Sequence, residues 1–496
     1  MAGFYDKLKA ELDKATKRTE NGAVGFETSG SALVDMNWKV TGYRTKPEND
    51  IVNDFLKAFS ENPELATKWM FYAGDVREGL GERRLFRTLV KHVIPLFPHL
   101  IPQIGVYSRF DILSELFGTT AEQEMLTYVQ KTLLEDINNM KAGKSVSLLA
   151  KWLPSVNTSS KAARQLALKY IKAMKISPAE YRKMLSGLRK YIGVIEQKIC
   201  AKEWGDIDYE KVPSKANLKY KNAFLRNDEQ RRREFLGKLV KGEAKIHSAA
   251  CFPHDIIASY GLTRWGNKNG PVDAALEGMW KGLPARDASA KPVIVVRDGS
   301  GSMDRGISGT NATPLDIATA LAIYFSEHCS PEYKDKFITF SSSPKFVDLS
   351  NLTTLRDKIV RAVQEAECSN TNIEKVFELI LQTARHAHLD QKEIPEVLII
   401  SDMEFDSATT HRPNQTLFGK IAQDWKNAGY TLPGITFWNV CGRTNTVPMQ
   451  TNPSGVKLVS GFSQNAIEIV MNDAKGPFEA LKKVLLGDRY APITIK

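Results

Sequence analysis

Two apolar runs of strand length in the C-terminal part of the chain each lead directly into an aspartate. Val293–Arg297 (VIVVR) is followed by Asp298, and Val397–Ser401 (VLIIS) is followed by Asp402. A third apolar run (ITFWNV) follows, and the stretches between the runs have helical periodicity. Buried strands that alternate with helices predict a doubly wound, mainly parallel sheet over residues 291–496.

Polar side chains stand where such a sheet would bind a ligand, at the carboxyl ends of its strands. The turn DGSGS supplies one aspartate and two serines, and a threonine precedes a predicted helix. Hydroxyl and carboxylate oxygens are the ligands that Mg²⁺ prefers, and the two glycines of DGSGS permit a tight turn. The sequence therefore predicts a site for Mg²⁺ or another hard cation made of Asp298, Ser300, Ser302, Thr371 and Asp402.

This pattern resembles the metal-ion-dependent adhesion site (MIDAS) of von Willebrand factor A domains, in which D-x-S-x-S, a later Thr and a later Asp bind Mg²⁺ or Mn²⁺. The resemblance covers about residues 291–496 and implies a Rossmann-like domain whose metal captures a carboxylate or another anion. No Walker A loop or nucleophile elbow accompanies these motifs, so we do not expect an enzyme. Four histidines are interpreted as helix or loop residues without a catalytic role: His328, His386, His388 and His411.

The middle of the chain has a different pattern. From about Ile51 to residue 285, apolar residues recur at three- and four-residue steps, which is typical of amphipathic helices. Many helices of roughly ten to twenty residues with short breaks favour a HEAT-like solenoid or ring of stacked helix pairs. Within this part we predict helices over residues 121–139, 159–174, 178–202 and 227–242.

The N-terminal residues predict a helix over 1–18 and then a loop over 19–34, because the loop segment is rich in Gly, Ser and Thr. The predicted organisation is therefore an N-terminal helix and loop (1–50), a helical repeat domain (51–285) and an α/β domain (291–496). The segment LPARDASAKP, which precedes the α/β domain, reads as a linker.

The net charge of +11 is unevenly distributed. Residues 291–496 hold 22 Lys+Arg and 23 Asp+Glu, so residues 1–290 carry a net charge of +12. Such an excess is typical of a part that meets a polyanion. The stretch 141–175 holds eight basic and no acidic residues, with Trp152 and Tyr170 interleaved, which suits a single-stranded nucleic acid. We predict RNA contacts for Lys141, Lys144, Lys151, Lys161, Arg164 and Lys169.

Two other basic groups, Arg77–Arg87 and Lys215–Arg233, contain or adjoin acidic residues. We interpret them as solvated helix faces and not as RNA-contacting surfaces. Five scattered cysteines without a C-x-x-C pair argue against a disulfide scaffold and favour a reducing compartment. The N-terminus lacks the features of a secretory signal, and no apolar run is long enough to cross a bilayer. The expected location is the cytoplasm, or the host cytoplasm if a phage encodes the chain.

Four stretches outside the α/β domain carry a second resemblance: TENGAVGFETSGSALVD (19–35), YAGDVREGLGERRLF (72–86), YSRFDIL (107–113) and YIGVIEQKICAKEWGDIDYEKVPSKANLKYKNAF (191–224). Together with the order of a helical domain followed by a MIDAS-containing domain, they resemble the TROVE (Ro ribonucleoprotein) family, and within it a branch from phages, bacteria and plants known as a domain of unknown function. The resemblance implies that the helical domain binds single-stranded RNA ends or small structured RNAs.

Two alternatives stay open on the sequence alone. In the first, the α/β domain uses its metal to capture a carboxylate of a protein partner, as an interaction or phage assembly module. In the second, a metal-dependent enzyme acts on phosphates, which would require turnover that is lost in EDTA and in Asp298→Ala.

Overall fold

The computed structural model describes residues 16–248, 250–262, 269–285, 292–308, 310, 312–340, 343–365, 371–407 and 415–495. The chain divides into two compact units. The first comprises the described residues up to Ala66 and those of Ser248–Ala491, and it contains the sheet. The second comprises the described residues of Thr67–His247 and Pro492–Lys496, and it is helical.

The first unit is built around a six-stranded sheet, as the alternation of apolar runs predicts. Its strands are β3 (Val293–Asp298), β4 (Lys336–Phe340), β5 (Lys345–Asp348), β6 (Glu396–Ser401), β7 (Ile435–Asn439) and β8 (Val456–Ser460). They lie in the order β5-β4-β3-β6-β7-β8. Every neighbouring pair is parallel except β4 and β5, which are antiparallel.

The prediction of a mainly parallel α/β sheet is confirmed, but it missed the edge strand β5. Only one of the four β5 side chains, Val347, is buried. A strand that short and that exposed has no apolar run by which to recognise it. By contrast, every residue of β7 and β8 is buried, because helices cover the sheet.

Helix Pro314–His328 is the most buried helix of this unit. Thr313 and Asp316 form a capping box at its start, and Pro314 takes the first helical position, where its missing N–H costs nothing. The helices of the first unit are Ala32–Trp38, Glu48–Glu61, Pro253–Tyr260, Ala274–Lys281, Pro314–His328, Leu355–Gln364, Glu374–His386, Leu417–Asn427, Ile467–Met471 and Pro477–Leu485, with 3-10 turns at Val40–Arg44, Gly301–Asp304, Gln391–Glu393, Gln464–Ala466 and Asp488–Tyr490.

The N-terminal segment belongs to this unit. Strands β1 (Thr16–Arg18) and β2 (Val24–Phe26) form an antiparallel hairpin, and Phe26 pairs with Val447 in an isolated bridge. The predicted helix over 1–18 is therefore wrong at residues 16–18, while residues 1–15 lie outside the described part. Helix Ala32–Trp38 begins inside the predicted loop, with Ser31 as its N-cap.

The unit boundaries differ from the predicted ones because segments flanking the helical part pack on the α/β core. Helix Pro253–Tyr260 contacts helix Pro314–His328, and helix Ala32–Trp38 contacts β8. The fully buried Trp38 indole donates a hydrogen bond of 3.3 Å to the Thr446 carbonyl. The predicted linker lies mostly outside the described residues, at 286–291.

The second unit confirms a helix-rich middle of the chain. Helix Pro178–Ile192 starts with a capping box of Ser177 and Glu180 and ends at Gly193, which has a φ of 74°. That left-handed residue interrupts the single helix predicted over 178–202. Its helices are Pro63–Gly74, which crosses the unit boundary, Arg83–Val93, Ile101–Tyr107, Glu122–Lys141, Leu149–Trp152, Lys161–Met174, Pro178–Ile192, Ile195–Ala201, Ser214–Asn227 and Glu229–Lys241, with 3-10 turns at Ile94–Leu96, Pro98–Leu100, Phe110–Leu116 and Trp204–Asp206.

Helices of this unit pack on helices that follow them in the chain: Glu122–Lys141 contacts both Lys161–Met174 and Pro178–Ile192. A repeat-based solenoid or ring stays a prediction. None of the described helices is both long and apolar enough to span a membrane.

Candidate metal centre

The candidate metal centre lies at the carboxyl edge of the sheet of the first unit. Strands β3 and β6 are parallel neighbours, and they end at Asp298 and Ser401. Parallel pairing therefore brings Asp298 and Asp402 to the same edge, as the sequence predicts. Both carboxylates are buried, with exposed fractions of 0% and 1%.

The DGSGS turn folds back on its own aspartate. One Asp298 oxygen, Oδ1, accepts a hydrogen bond of 2.8 Å from the Ser300 backbone N–H. The other, Oδ2, accepts one of 2.6 Å from the Ser401 hydroxyl. The Ser300 and Ser302 hydroxyl oxygens are 3.0 Å apart. Three of the five predicted ligands thus converge within this turn.

The electrostatics of the centre favour a bound positive charge. Burial and the nearby negative charge of Asp402 raise the pKa of Asp298 well above its ordinary value. Hydrogen bonds from Ser401 and Ser300 oppose that rise. Two buried carboxylates that repel each other gain when a cation lies between them.

Thr371 lies beside the segment that follows β6 and contacts the N-terminal hairpin, and in the described structure no hydrogen bond joins it to the other four predicted ligands. Its hydroxyl accepts a hydrogen bond of 3.2 Å from the Asn21 side chain, which also donates one of 2.6 Å to the Glu404 carbonyl. The Asp406 N–H donates to the Thr371 carbonyl at 3.1 Å, and Asp406 pairs with Gly22 in an isolated bridge. The turn between β1 and β2 therefore lies beside the residues that follow β6.

Glu404 is a buried acidic residue that the sequence reasoning missed. Its N–H donates to Asp402 Oδ1 at 3.2 Å. Its carboxylate accepts hydrogen bonds of 2.7 Å from the Glu20 N–H and of 2.7 Å from the Thr444 hydroxyl. Because these groups use both of its oxygens, Glu404 ties the N-terminal hairpin to the centre.

Arg443 is the second missed residue, on the loop after β7. Its Nη2 donates to Asp402 Oδ2 at 2.6 Å, and its Nη1 lies 3.4 Å from Glu20 Oε2. The Glu20 carboxylate also lies 3.6 Å from Arg305. A signal for this cluster existed in the sequence, since Glu20 and Asn21 stand in the TENG segment that resembles the TROVE branch.

The residues present fit a hard divalent cation. The donors are two carboxylates and three hydroxyls, an all-oxygen set of the kind that Mg²⁺ and Mn²⁺ take. In the described parts of the chain, no three His, Cys, Asp or Glu side chains form a group that could hold a metal. Cation binding here would therefore depend on the serine and threonine hydroxyls as well as on the two aspartates.

Of the four histidines interpreted as non-catalytic, those that the structure describes lie at a helix end or at the surface. The His328 ring contacts the Tyr324 carbonyl at 2.7 Å through Nδ1, at the end of helix Pro314–His328. His386 and His388 are exposed. His411 lies outside the described residues.

In the second unit, the predicted RNA-contacting residues lie on the end of one helix, the loop after it and the next two helices. Lys141, Lys144, Lys161, Arg164 and Lys169 are exposed, and Lys151 is half-buried. None of the six takes part in an ion pair with a described residue, although Lys169 Nζ lies 5.2 Å from the Phe117 ring centroid.

The two aromatic residues of this stretch differ. Tyr170 is 1% exposed and packs edge-on against Phe117 at 4.9 Å, so its ring cannot stack with bases. Trp152 is half-buried, and the Arg109 guanidinium stacks on its ring at 3.9 Å. The same guanidinium donates to the Asp111 carboxylate at 2.9 and 2.6 Å, so its charge is already paired.

Several residues of the other two basic groups form ion pairs, whereas Arg232 is buried and does not belong to a solvated helix face. Arg87 pairs with Asp111 at 3.0 Å and with Glu115 at 3.2 Å. Arg231 and Arg233 pair with acidic residues of their own helix or its start at 2.9 and 2.8 Å.

Family comparisons match both parts of the chain. Residues 292–486 match a domain of unknown function (DUF7788), and residues 114–283 match another (DUF2828). An uncharacterized protein of Acanthamoeba polyphaga mimivirus is 27% identical over 513 residues, which cover 94% of this chain and 86% of that protein. The chain is thus similar to the viral protein across both units.

Among solved structures, the Ro (RSR) protein of Deinococcus radiodurans is a neighbour. It is 14% identical, and the match covers 88% of this chain and 89% of that chain at a TM-score of 0.33. This score is too low to establish a shared fold.

Proposed function

We propose that the protein is a cytoplasmic, non-enzymatic RNA-binding protein whose α/β unit also holds a divalent cation. The helical unit would contact RNA through its lysine-rich surface, and the cation would capture an anionic group of a ligand. The resemblance to the TROVE family motivates the choice of RNA. Its main support in the structure is the exposed basic surface of residues 141–175.

That surface has the charge that RNA binding requires. Polyanion binding depends on basic side chains whose counterions are released when they meet phosphates. Lys144 and Arg164 are exposed, and neither takes part in an ion pair with a described residue. By contrast, Lys211 and Arg233 are exposed but paired, with Asp208 and Glu229. We infer that the exposed, unpaired charges of residues 141–175 contact RNA.

A salt titration with labelled oligouridine tests this proposal. The substitutions Lys144→Glu, Lys151→Glu and Arg164→Glu are combined in one variant. We expect weaker binding and a slope of log affinity against log salt that falls by about 2, since each phosphate contact contributes about 0.7 for single strands. Wild-type protein should lose affinity steeply as salt rises.

The matched control makes the same change in charge at paired residues of the same unit. It combines Lys131→Glu, Lys211→Glu and Arg233→Glu, whose side chains pair with Glu135, Asp208 and Glu229. This variant should retain most of the affinity. Equal losses in the two variants would mean that the unit responds only to net charge, and an unchanged affinity in the first would refute the RNA surface.

In the α/β unit, Asp298 and Asp402 would hold the cation together with the hydroxyls of Ser300, Ser302 and Thr371. The cation would supply a coordination position for an anionic oxygen of the ligand. Both aspartates are buried, so little solvent reaches their carboxylates. The Ser401 hydroxyl orients the Asp298 carboxylate through its hydrogen bond. The raised pKa of Asp298 supports a cation as the natural partner of this pair.

A metal-dependent protein-binding or phage assembly module is the second candidate. It is favoured by the centre itself, because a divalent cation held by only two carboxylates can still attract a partner's carboxylate. The absorbance spectrum of protein purified at low salt distinguishes the candidates. Co-purifying nucleic acid supports the first, and a protein partner that elutes with EDTA while nucleic acid is absent supports the second.

A further inference from the structure

The Arg443 guanidinium lies between two carboxylates of the first unit. Its Nη2 is 2.6 Å from Asp402 Oδ2, and its Nη1 is 3.4 Å from Glu20 Oε2. The Arg443 side chain is 17% exposed, whereas that of Glu20 is 44% exposed. The guanidinium thus connects a buried carboxylate of the metal centre to a carboxylate near the surface.

The hydrogen bonding of Arg443 is incomplete. Its Nε and Nη1 are buried and have no hydrogen-bond partner among the described residues. Arg189 in the second unit shows the contrast, because its guanidinium donates to three oxygens at 2.6 to 2.8 Å. Buried donors without partners cost free energy, so the position of Arg443 is poorly explained by a structural role alone.

The contact with Asp402 conflicts with a cation in the same place. Asp402 Oδ1 accepts from the Glu404 N–H, and Oδ2 accepts from Arg443. A divalent cation at these oxygens would stand within a few ångströms of the guanidinium, and two positive charges that close repel each other strongly where water is excluded. Arg443 must leave Asp402 when a cation binds there.

The Glu20 carboxylate lies where it can pair with the Arg443 guanidinium once that guanidinium leaves Asp402. Its backbone N–H is held by the Glu404 carboxylate at 2.7 Å, and the adjacent Asn21 side chain is held by the Glu404 carbonyl at 2.6 Å. The Glu20 carboxylate therefore stays beside the centre. Its Oε2 is 3.4 Å from Arg443 Nη1, and a small rotation of the Arg443 side chain would bring the two groups into a hydrogen-bonded ion pair.

We infer that Arg443 competes with the divalent cation for Asp402, and that Glu20 receives the guanidinium when the cation binds. This inference rests on the proposed cation site. It makes Arg443 the residue that sets cation affinity, and it couples cation binding to the turn between β1 and β2.

Calorimetric titration of the full chain with Mn²⁺ tests the inference. Arg443→Gln should bind Mn²⁺ about tenfold more tightly than wild type, because a charge-assisted contact no longer has to break. Glu20→Gln should bind it more weakly in the wild-type background, since Arg443 then has no anionic acceptor. In the Arg443→Gln background, Glu20→Gln should have no effect.

Two controls separate charge from structure. Arg443→Lys keeps the positive charge and should stay close to wild type. Arg361→Gln removes a charge from helix Leu355–Gln364, where Arg361 pairs with Glu365, and should not change Mn²⁺ affinity. Thermal melts without metal establish that each variant is folded.

The outcomes distinguish failure of the inference from failure of the cation site. If wild type binds Mn²⁺ and folded Arg443→Gln binds it equally or less tightly, the inference is overturned while the site stands. If neither protein binds Mn²⁺, the site itself is refuted and the inference falls with it. Tight binding that appears only in Arg443→Gln would support both.

Discussion

The Asn21 side-chain amide donates a 3.2 Å hydrogen bond to the Thr371 hydroxyl across a sequence separation of 350 residues. The same amide donates to the Glu404 carbonyl at 2.6 Å. Asn21 thereby fixes both a predicted cation ligand and the segment that follows β6. A side chain that orients a ligand without contacting the metal commonly changes metal affinity by about tenfold or more when it is removed.

Replacing Asn21 by Ala should weaken Mn²⁺ binding by about tenfold or more, the range found for partners that orient metal ligands. The Thr371 hydroxyl loses the group that orients it, and the Glu404 carbonyl loses a donor. Each lost hydrogen bond should cost about 1 kcal/mol of unfolding free energy. Calorimetry measures the affinity, and urea unfolding measures the stability.

Asn427→Ala is the matched control for that change. Asn427 ends helix Leu417–Asn427 in the same unit, and its side chain accepts a hydrogen bond from Gln423, one turn earlier in that helix. It should leave Mn²⁺ affinity unchanged. An Asn21→Ala protein that loses stability but binds Mn²⁺ like wild type would show that the hairpin is a structural cover only.

Asp298→Asn should separate the stability of the metal-free fold from metal binding. The neutral amide removes the repulsion with Asp402 and the cost of burying a charge, so the melting temperature without metal should equal or exceed that of wild type. Wild type should gain about 5 °C or more when Mn²⁺ reaches about 100 times its Kd, whereas the variant should gain nothing.

For this experiment Asp424→Asn serves as the comparison, because Asp424 is half exposed and pairs with Lys420 on a helix surface. It should keep the Mn²⁺-dependent rise. A large fall in the melting temperature of Asp298→Asn without metal would show that the carboxylate is needed for folding.

The positions of Asp298 and Asp402 could be predicted because they depend on strong local patterns. A continuous apolar run reads as a buried strand, and parallel topology places the ends of such strands at one edge. The edge strand β5 and the hairpin of β1 and β2 carry no such run. The hairpin strands are three residues long, so the formation of the hairpin depends on its packing against residues near 406 and 447.

The contacts of Arg443 with Asp402 and Glu20 could not be predicted, since they join segments that only the tertiary fold brings together. Tyr170 is a different case. Ala167, Tyr170 and Ile171 are all buried on helix Lys161–Met174, at the three- and four-residue spacing of a core-facing stripe. The periodicity of that helix indicates that Tyr170 faces the core.

Cysteine reactivity should follow burial. Burial raises the pKa of the Cys329 thiol to about 12 and, together with the nearby Asp402, that of Cys441 to about 11. Because the thiolate is the reactive form, both should react slowly with iodoacetamide at pH 8, as should the buried Cys251. The exposed Cys200 should react first, as peptide mass spectrometry would show.

In urea, where the chain is unfolded, these cysteines should react with iodoacetamide at similar rates. That measurement shows whether neighbouring residues in the sequence, and not burial, cause the differences. Cys368 lies outside the described residues and is followed as a separate peptide. Native labelling of Cys441 as fast as that of Cys200 would mean that the loop carrying Arg443 opens readily.

Two glycine substitutions in the helical unit should act in opposite directions. A Cβ added at Gly74 would stand 2.3 Å from the Phe86 ring, whereas one added at Gly187 would meet no atom within 4 Å. Gly74→Ala should therefore destabilise the unit by about 1–3 kcal/mol through overpacking. Gly187→Ala lies inside helix Pro178–Ile192 and should stabilise it by about 0.5–1 kcal/mol, because alanine loses less backbone entropy.

Urea unfolding followed by circular dichroism measures both changes on the full chain. Gly187→Ala is the control for Gly74→Ala, since both add one methyl group to a helix of the chain. A Gly74→Ala protein as stable as wild type would contradict the close approach of this glycine to Phe86.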